Sequence, residues 1–224
     1  MTVLENFINH QADPKLPGFL SNSIKKGYSS FNEFVKREPE LQLYESRNVY
    51  GYLRHIFIDI ILKRDAHNSG IDLKVKTREI PENGYTYLVI EHKNCIITVH
   101  KTSLKNSLPA KAVNRTMRSK INNGIPNIDL QLSLFENPPL EKEQIKTGQI
   151  YLMVTYGGSH YKLEYVNLGM PNDGVTRWLD IKNITNSLTT TEDVSETEQA
   201  QINLEFQNEV KRMLEREKKN GGQI

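Results

Sequence analysis

Cysteine is nearly absent from this chain. Cys95 is the one cysteine in 224 residues, which rules out an internal disulfide and any zinc site built from several thiolates, and suits a reducing compartment. Long apolar runs are missing as well. The longest apolar patch, Ile56 to Leu62, is interrupted by Asp59 and falls far short of a bilayer span. The opening stretch MTVLENFINHQADPK has neither the basic start nor the apolar centre of a secretory leader. A cytoplasmic protein with no membrane partner is therefore the expectation. Net charge is only +2, so no whole-molecule field demands a polyanion.

The hydrophobic share is 37% and the charged share 25%, which fits a globular chain with a core rather than a disordered one. Residues 1–28 read as short helical pieces broken by Pro14, Pro17 and Gly18. Ser30 with Glu33 has the spacing of a capping box, and Pro39 ends or restarts the helix that follows. A longer helix is predicted over about 40–64, with Val49, Leu53, Ile56, Phe57 and Ile60 on one face. The period then changes to two. Strands are predicted over 71–76, 85–91 and 95–101, with Pro81-Glu82-Asn83-Gly84 and His92-Lys93-Asn94 as turns, making an antiparallel meander. A helix over about 109–121 is stopped by Asn122-Asn123-Gly124. Strands over 149–156, 161–167 and 175–181 follow, turned by Gly157-Gly158 and Asn172-Asp173-Gly174. A second capping box, Ser195 with Glu198, opens a terminal helix striped by Ile202, Phe206, Val210 and Met213. The expected fold class is α+β: N-terminal helices, a mostly antiparallel sheet of about six strands, one basic helix between two strand groups, and a C-terminal helix. Residues 1–187 form one domain with a helical part at 1–66, and 188–224 supply a linker and an amphipathic helix.

Acid is the scarcest ingredient of the middle of the chain. From His92 through Ile128 there is no Asp or Glu, while Lys93, Lys101, Lys105, Lys111, Arg115, Arg118 and Lys120 all fall there. On the predicted helix Lys111, Arg115 and Arg118 share one face, and Val113, Met117 and Ile121 fall on the other. An apolar back with a basic front suits contact with nucleic-acid phosphates, each neutralised phosphate releasing counterions. The alternative is a solvated basic face paired with acids from elsewhere. The nucleic-acid contacts expected on the first view are Lys101, Lys105, Lys111, Arg115, Arg118 and Lys120.

Downstream of that helix lies Gln131-Leu132-Ser133-Leu134-Phe135, between Gly124 and Pro126 on one side and Pro138-Pro139 on the other. The pentapeptide resembles the motif by which many bacterial DNA polymerases and repair proteins dock on the sliding clamp. The resemblance implies that Gln131 hydrogen-bonds at the mouth of the clamp pocket, Leu132 braces the backbone, and Leu134 and Phe135 fill the apolar cleft. The same alternation also describes a half-buried strand. A second stretch, Gly70-Ile71-Asp72 followed by Leu88-Val89-Ile90-Glu91-His92-Lys93, resembles the core of the PD-(D/E)xK nuclease superfamily. That resemblance implies Asp72 and Glu91 as ligands of Mg2+ or Mn2+, Lys93 as the catalytic lysine and Glu45 as an additional acid.

Other constellations are local. His55 and Asp59 are four apart on a predicted helix, as a metal pair or a surface contact would be. His100 and His160 sit in predicted strands, and Ser103 and Ser159 have no activating partner in the sequence. Tyr156, Tyr161, Tyr165 and Trp178 either stack on bases or pack within the late sheet. Three functions are consistent with this pattern. The first is a DNA-associated bacterial or phage protein docked on the sliding clamp, the second a metal-dependent nuclease, and the third a protein–protein interaction module or inhibitor without DNA contact.

Overall fold

A computed structural model describes residues 2–80, 85–123, 149–159, 161–187 and 195–220. It has five α-helices and six strands among those residues, in the order α1 (Val3–Asn6), α2 (Leu16–Arg37), α3 (Tyr50–Asn68), β1 (Lys74–Glu79), β2 (Thr86–His92), β3 (Cys95–Lys101), α4 (Val113–Ser119), β4 (Ile150–Gly158), β5 (Leu163–Pro171), β6 (Trp178–Asn183) and α5 (Glu196–Asn220). The α+β architecture, with a basic helix between two groups of strands, is the one the sequence predicts.

The N-terminal helices depart from expectation in instructive ways. Pro17 does not break a helix; it sits in the first turn of α2, where the N–H it lacks would have had no partner. The helix therefore starts at Leu16 and runs through Gly18 and through Ser30, so the predicted capping box at Ser30 and Glu33 lies mid-helix. It stops at Arg37, ahead of Pro39, as the constraint on the residue before proline requires. The predicted helix over 40–64 begins ten residues later, at Tyr50. Its first part is replaced by two 3-10 turns, Pro39–Gln42 and Glu45–Val49. Residues 40–49 contain no fully buried side chain, so tertiary packing gives them nothing to sustain an α-helix. Glu45 lies exposed on the second of these turns.

The six strands lie in sequence order, β1-β2-β3-β4-β5-β6. Every neighbouring pair is antiparallel except β3 and β4, which run parallel from Cys95↔Ile150 to Lys101↔Tyr156. Parallel neighbours need a crossover rather than a tight turn, and the segment holding α4 is that crossover. Strand ends shift where pairing overrides local pattern. β1 starts at Lys74 because its ladder with β2 runs from Lys74↔Glu91 to Glu79↔Thr86. Gly157-Gly158 belongs to β4 rather than to a turn. A Cβ at Gly157 would lie 2.2 Å from the hydroxyl oxygen of Tyr165 and 2.6 Å from the carbonyl oxygen of Thr102, so glycine leaves room for the Tyr165 hydroxyl to donate to that carbonyl at 2.9 Å. The turn residues 81–84 and position 160, with its histidine, lie outside the described residues.

Alternation along the central strands divides the core. Leu152, Val154 and Tyr156 of β4, with Ile97 and Val99 of β3, join α1, α2 and Ile58 and Leu62 of α3 in one cluster. Tyr151 and Met153 point to the other face, against Ile121, Leu108, Val175 and Trp178. A third cluster lies among helices: Phe31 and Phe34 of α2, Phe57 and Ile61 of α3, and Ile202 and Phe206 of α5. The Phe206 ring is 4.9 Å from that of Phe34 and 4.7 Å from that of Phe57, so the C-terminal helix docks on the body. Its N-terminus carries the predicted capping box, Ser195 N–H donating to Glu198 at 2.9 Å and Glu198 N–H to Ser195 Oγ at 3.3 Å. The side chain of Met213 lies outside the described residues. Among the described residues no helix is long and apolar enough to cross a membrane.

Candidate anion-binding cleft

A cleft of about 200 Å³ opens at the C-terminal end of β3, lined among others by Gly51, Tyr52 and His55 of α3, Tyr85, and His100 and Lys101 of β3, with Arg115 of α4. A second hollow of about 280 Å³ shares His55, Tyr85, His100 and Arg115 with it and adds Tyr87. Three separate parts of the chain thus meet around one space.

The orientation of α4 is the reverse of the one its pattern predicts. Val113 and Met117, the expected apolar back, are 81% and 62% exposed, while Arg115 and Arg118 are half-buried against the sheet. The cause lies at the helix's C-terminal end. The Asn122 side chain donates to the Tyr151 and Pro171 carbonyls and accepts from the Tyr151 N–H, all at 2.8 Å. Ser119 Oγ accepts from the Gly174 N–H at 3.0 Å, and Ile121 packs beside Tyr151. These anchors fix the roll of a helix only seven residues long, and the roll turns its guanidinium groups inward. Arg118 reaches the Tyr87 hydroxyl at 3.4 Å. Arg115 donates to the Ala110 carbonyl and lies 3.5 Å from His100 Nδ1.

His100 is the floor of the cleft. Its Nε2 is 2.7 Å from Thr98 Oγ1, which is itself 2.7 Å from the Tyr151 hydroxyl. Burial, with Arg115 and His55 nearby, holds the His100 imidazole well below the usual histidine range, so the ring is neutral. The Arg115 guanidinium beside Nδ1 favours the tautomer that carries its proton on Nε2, toward Thr98. Burial pushes the Tyr151 hydroxyl up to about 12, which keeps the far end of this relay protonated. Partial burial lowers the pKa of Arg115, which is half-buried, and to a lesser depth that of Lys101, whose side chain stays exposed to solvent. Gly51, in the first turn of α3, lies beside the Lys101 ammonium, 3.2 Å from where a Cβ would stand.

His55 forms the opposite wall. Its Nδ1 is 3.1 Å from the Tyr156 hydroxyl and its Nε2 is 3.9 Å from Asp59, so the helix pair read from the sequence is a real contact. Burial raises the Asp59 carboxyl, against the opposing pull of His55 and Lys63, and its Oδ1 has no hydrogen-bond partner among the described residues.

The cleft collects Lys101 and Arg115 from the predicted nucleic-acid contacts, with Arg118 beside it. Lys105, Lys111 and Lys120 are exposed and do not line it. Gln131, Leu132, Leu134 and Phe135 lie outside the described residues. The residues of the nuclease resemblance sit elsewhere. The register Val89↔Thr98 and His92↔Cys95 puts Glu91 and Lys93 at the opposite end of the β2–β3 hairpin from the cleft. Glu91 accepts twice from Lys76 at 2.8 Å, which lowers its pKa. Lys93 occupies the hairpin turn at φ 48° and donates to the Gln11 carbonyl at 2.6 Å. Asp72 is exposed, and its backbone carbonyl accepts from buried His92 at 2.9 Å. Among the described residues no three His, Cys, Asp or Glu side chains are grouped to hold a metal ion; Glu91 is paired with Lys76, and Asp72 and Glu45 are exposed. Of the aromatics singled out for stacking, Tyr156 and Tyr165 are buried and the Trp178 indole donates to the Asn106 carbonyl at 3.0 Å. The exposed rings at the cleft are Tyr52 and Tyr85, which no sequence spacing marks. In comparisons with known proteins, no family model, no curated protein and no solved structure matches this chain.

Proposed function

We propose that the protein binds phosphate groups of nucleic acid in the cleft between α3 and α4. One observation carries the reading: half-buried Arg115 and exposed Lys101 line a single concavity, and among the described residues neither is within 4.0 Å of a carboxylate oxygen. A half-buried guanidinium without a counter-charge carries a desolvation cost, and a bound anion offsets it. The guanidinium fork suits two phosphate oxygens and the ammonium a third. Neutral His100 accepts from Arg115 and aims it without adding a further charge.

Docking on a sliding clamp through Gln131, Leu132, Leu134 and Phe135 belongs to the same proposal and rests on the sequence motif. Held on a ring around DNA, a protein with modest intrinsic affinity gains occupancy through effective concentration. The test is fluorescence anisotropy with a labelled oligonucleotide over a salt series. Replacing Arg115 and Lys101 by Gln is expected to weaken binding about tenfold or more and to flatten the salt slope by roughly 0.7–0.9 per lost phosphate contact. Unchanged affinity and slope in a variant with a native circular dichroism spectrum refute the cleft reading. Pull-down on purified clamp, lost on Leu134→Ala with Phe135→Ala, tests the docking separately.

A further inference from the structure

Resting on the phosphate-binding reading, we infer that the cleft takes an unpaired nucleotide, with its base laid against Tyr85 and Tyr52. These two side chains are 37% and 45% exposed, and both line the cavity that holds Lys101 and Arg115. Their ring centroids are 6.5 Å apart with planes at 47°, so they form a bent aromatic wall rather than a closed stack. Behind them the His55 ring lies within 3° of the plane of Tyr85 at 6.4 Å. One of its nitrogens is held by the Tyr156 hydroxyl at 3.1 Å, the other lies 3.9 Å from Asp59, and the parallel ring backs that of Tyr85.

The juxtaposition of exposed rings with an anion pocket selects among phosphate-bearing ligands. Inorganic phosphate has no face to stack. A duplex has its bases stacked on one another and offers its phosphates on a convex surface, which does not enter a recess floored by His100. A single strand or a free nucleotide presents both a negative group and an exposed π-face, and aromatic side chains bind such bases with little regard to sequence. The acid-free run from His92 to Ile128 supplies the cations of this site, while Tyr52 comes from α3 and Tyr85 from the start of the β2 hairpin, so the site is complete only in the folded chain.

The experiment compares a labelled 12-nucleotide single strand, the duplex of the same sequence, a mononucleotide and pyrophosphate, each with the full-length protein. Tighter binding of the strand than of the duplex is expected. Tyr52→Ala with Tyr85→Ala should weaken the strand about tenfold and leave pyrophosphate unchanged, whereas Tyr52→Phe with Tyr85→Phe, which keeps both rings, should retain strand binding. A mononucleotide that competes, and loses affinity on the same alanine changes, assigns the site to the free nucleotide; one that does not compete assigns it to the strand. Equal affinity for strand and duplex, or strand binding indifferent to the alanine changes while Arg115→Gln abolishes it, overturns this inference and leaves the phosphate site standing. Binding of every ligand indifferent to Arg115→Gln and Lys101→Gln overturns both.

Discussion

At Gly27 the backbone of α2 lies close against Ile58 of α3, and a methyl group there is a sharp test of how the cleft wall is held. A Cβ at Gly27 would lie 2.5 Å from Ile58 Cγ1 and 2.9 Å from Ile58 Cα. In an uncrowded helix interior, Gly→Ala stabilises by about 1 kcal/mol, because alanine has less backbone freedom to lose. Here the methyl meets backbone as well as side chain, so a rotamer change in Ile58 cannot relieve it, and the helices must separate. Overpacking of this kind costs about 1–3 kcal/mol. Taking the upper end because backbone is involved, and subtracting the propensity gain, Gly27→Ala is expected to be destabilising by about 2 kcal/mol. For a chain of this size that is a fall of roughly 4–8 °C in Tm, read from thermal and urea melts followed by circular dichroism. Because α3 carries Gly51, Tyr52 and His55, oligonucleotide affinity should fall with stability. A Gly27→Ala variant as stable as the parent, or more so, would show that the α2–α3 approach is not tight and refute the reasoning.

Three further outcomes are expected. Asp59 has its carboxyl pKa raised by burial, so its ionisation costs stability as pH rises above the unfolded aspartate value of about 3.9; Asp59→Asn should match or exceed the parent in urea at pH 7 and lose any advantage near pH 3, and a less stable variant at pH 7 would contradict the assignment. Glu198 has its pKa lowered, first by the Ser195 backbone N–H, so its contribution is present above the unfolded value of about 4.3 and is lost as pH falls through the lower folded value; Glu198→Gln should make the acid limb of the stability profile shallower, as monitored by α5 helicity. Burial raises the thiol pKa of Cys95, so reaction with a disulfide reagent should proceed at the rate of opening and quicken in parallel with urea unfolding, whereas immediate stoichiometric labelling of the native protein would disprove its burial.

Much of the fold is legible in the sequence. The strand over Cys95–Lys101 has its predicted ends, because alternation and the turn before it agree. The capping box at Ser195 marks the start of the last helix for the same local reason. What local pattern misses is decided by partners distant in the chain. Pro17 looks like a breaker until the helix start is known. Val113 and Met117 look buried because apolar residues usually are, but the sheet surface under the helix offers His100 and Tyr87, which receive Arg115 and Arg118 instead. The candidate site is half visible: the acid-free run points to Lys101 and Arg115, but nothing in their spacing brings in Gly51, Tyr52 and His55, which join through the packing of α3, or Tyr85, which arrives just ahead of β2.

The one parallel pair in the sheet has a kinetic consequence. Strands β1 to β3 are joined in series by short links, as are β4 to β6, so each trio assembles from neighbours and closes only small loops. The β3–β4 seam is different: Cys95 meets Ile150 only after the whole intervening chain has been gathered, and such long-range closure is entropically slow. The topology favours two locally assembled halves and one late join; Asn122, bonded to both β4 and β5, ties α4 to the second half, so Arg115 and Arg118 meet His100 and Tyr87 of the first only when that join is made.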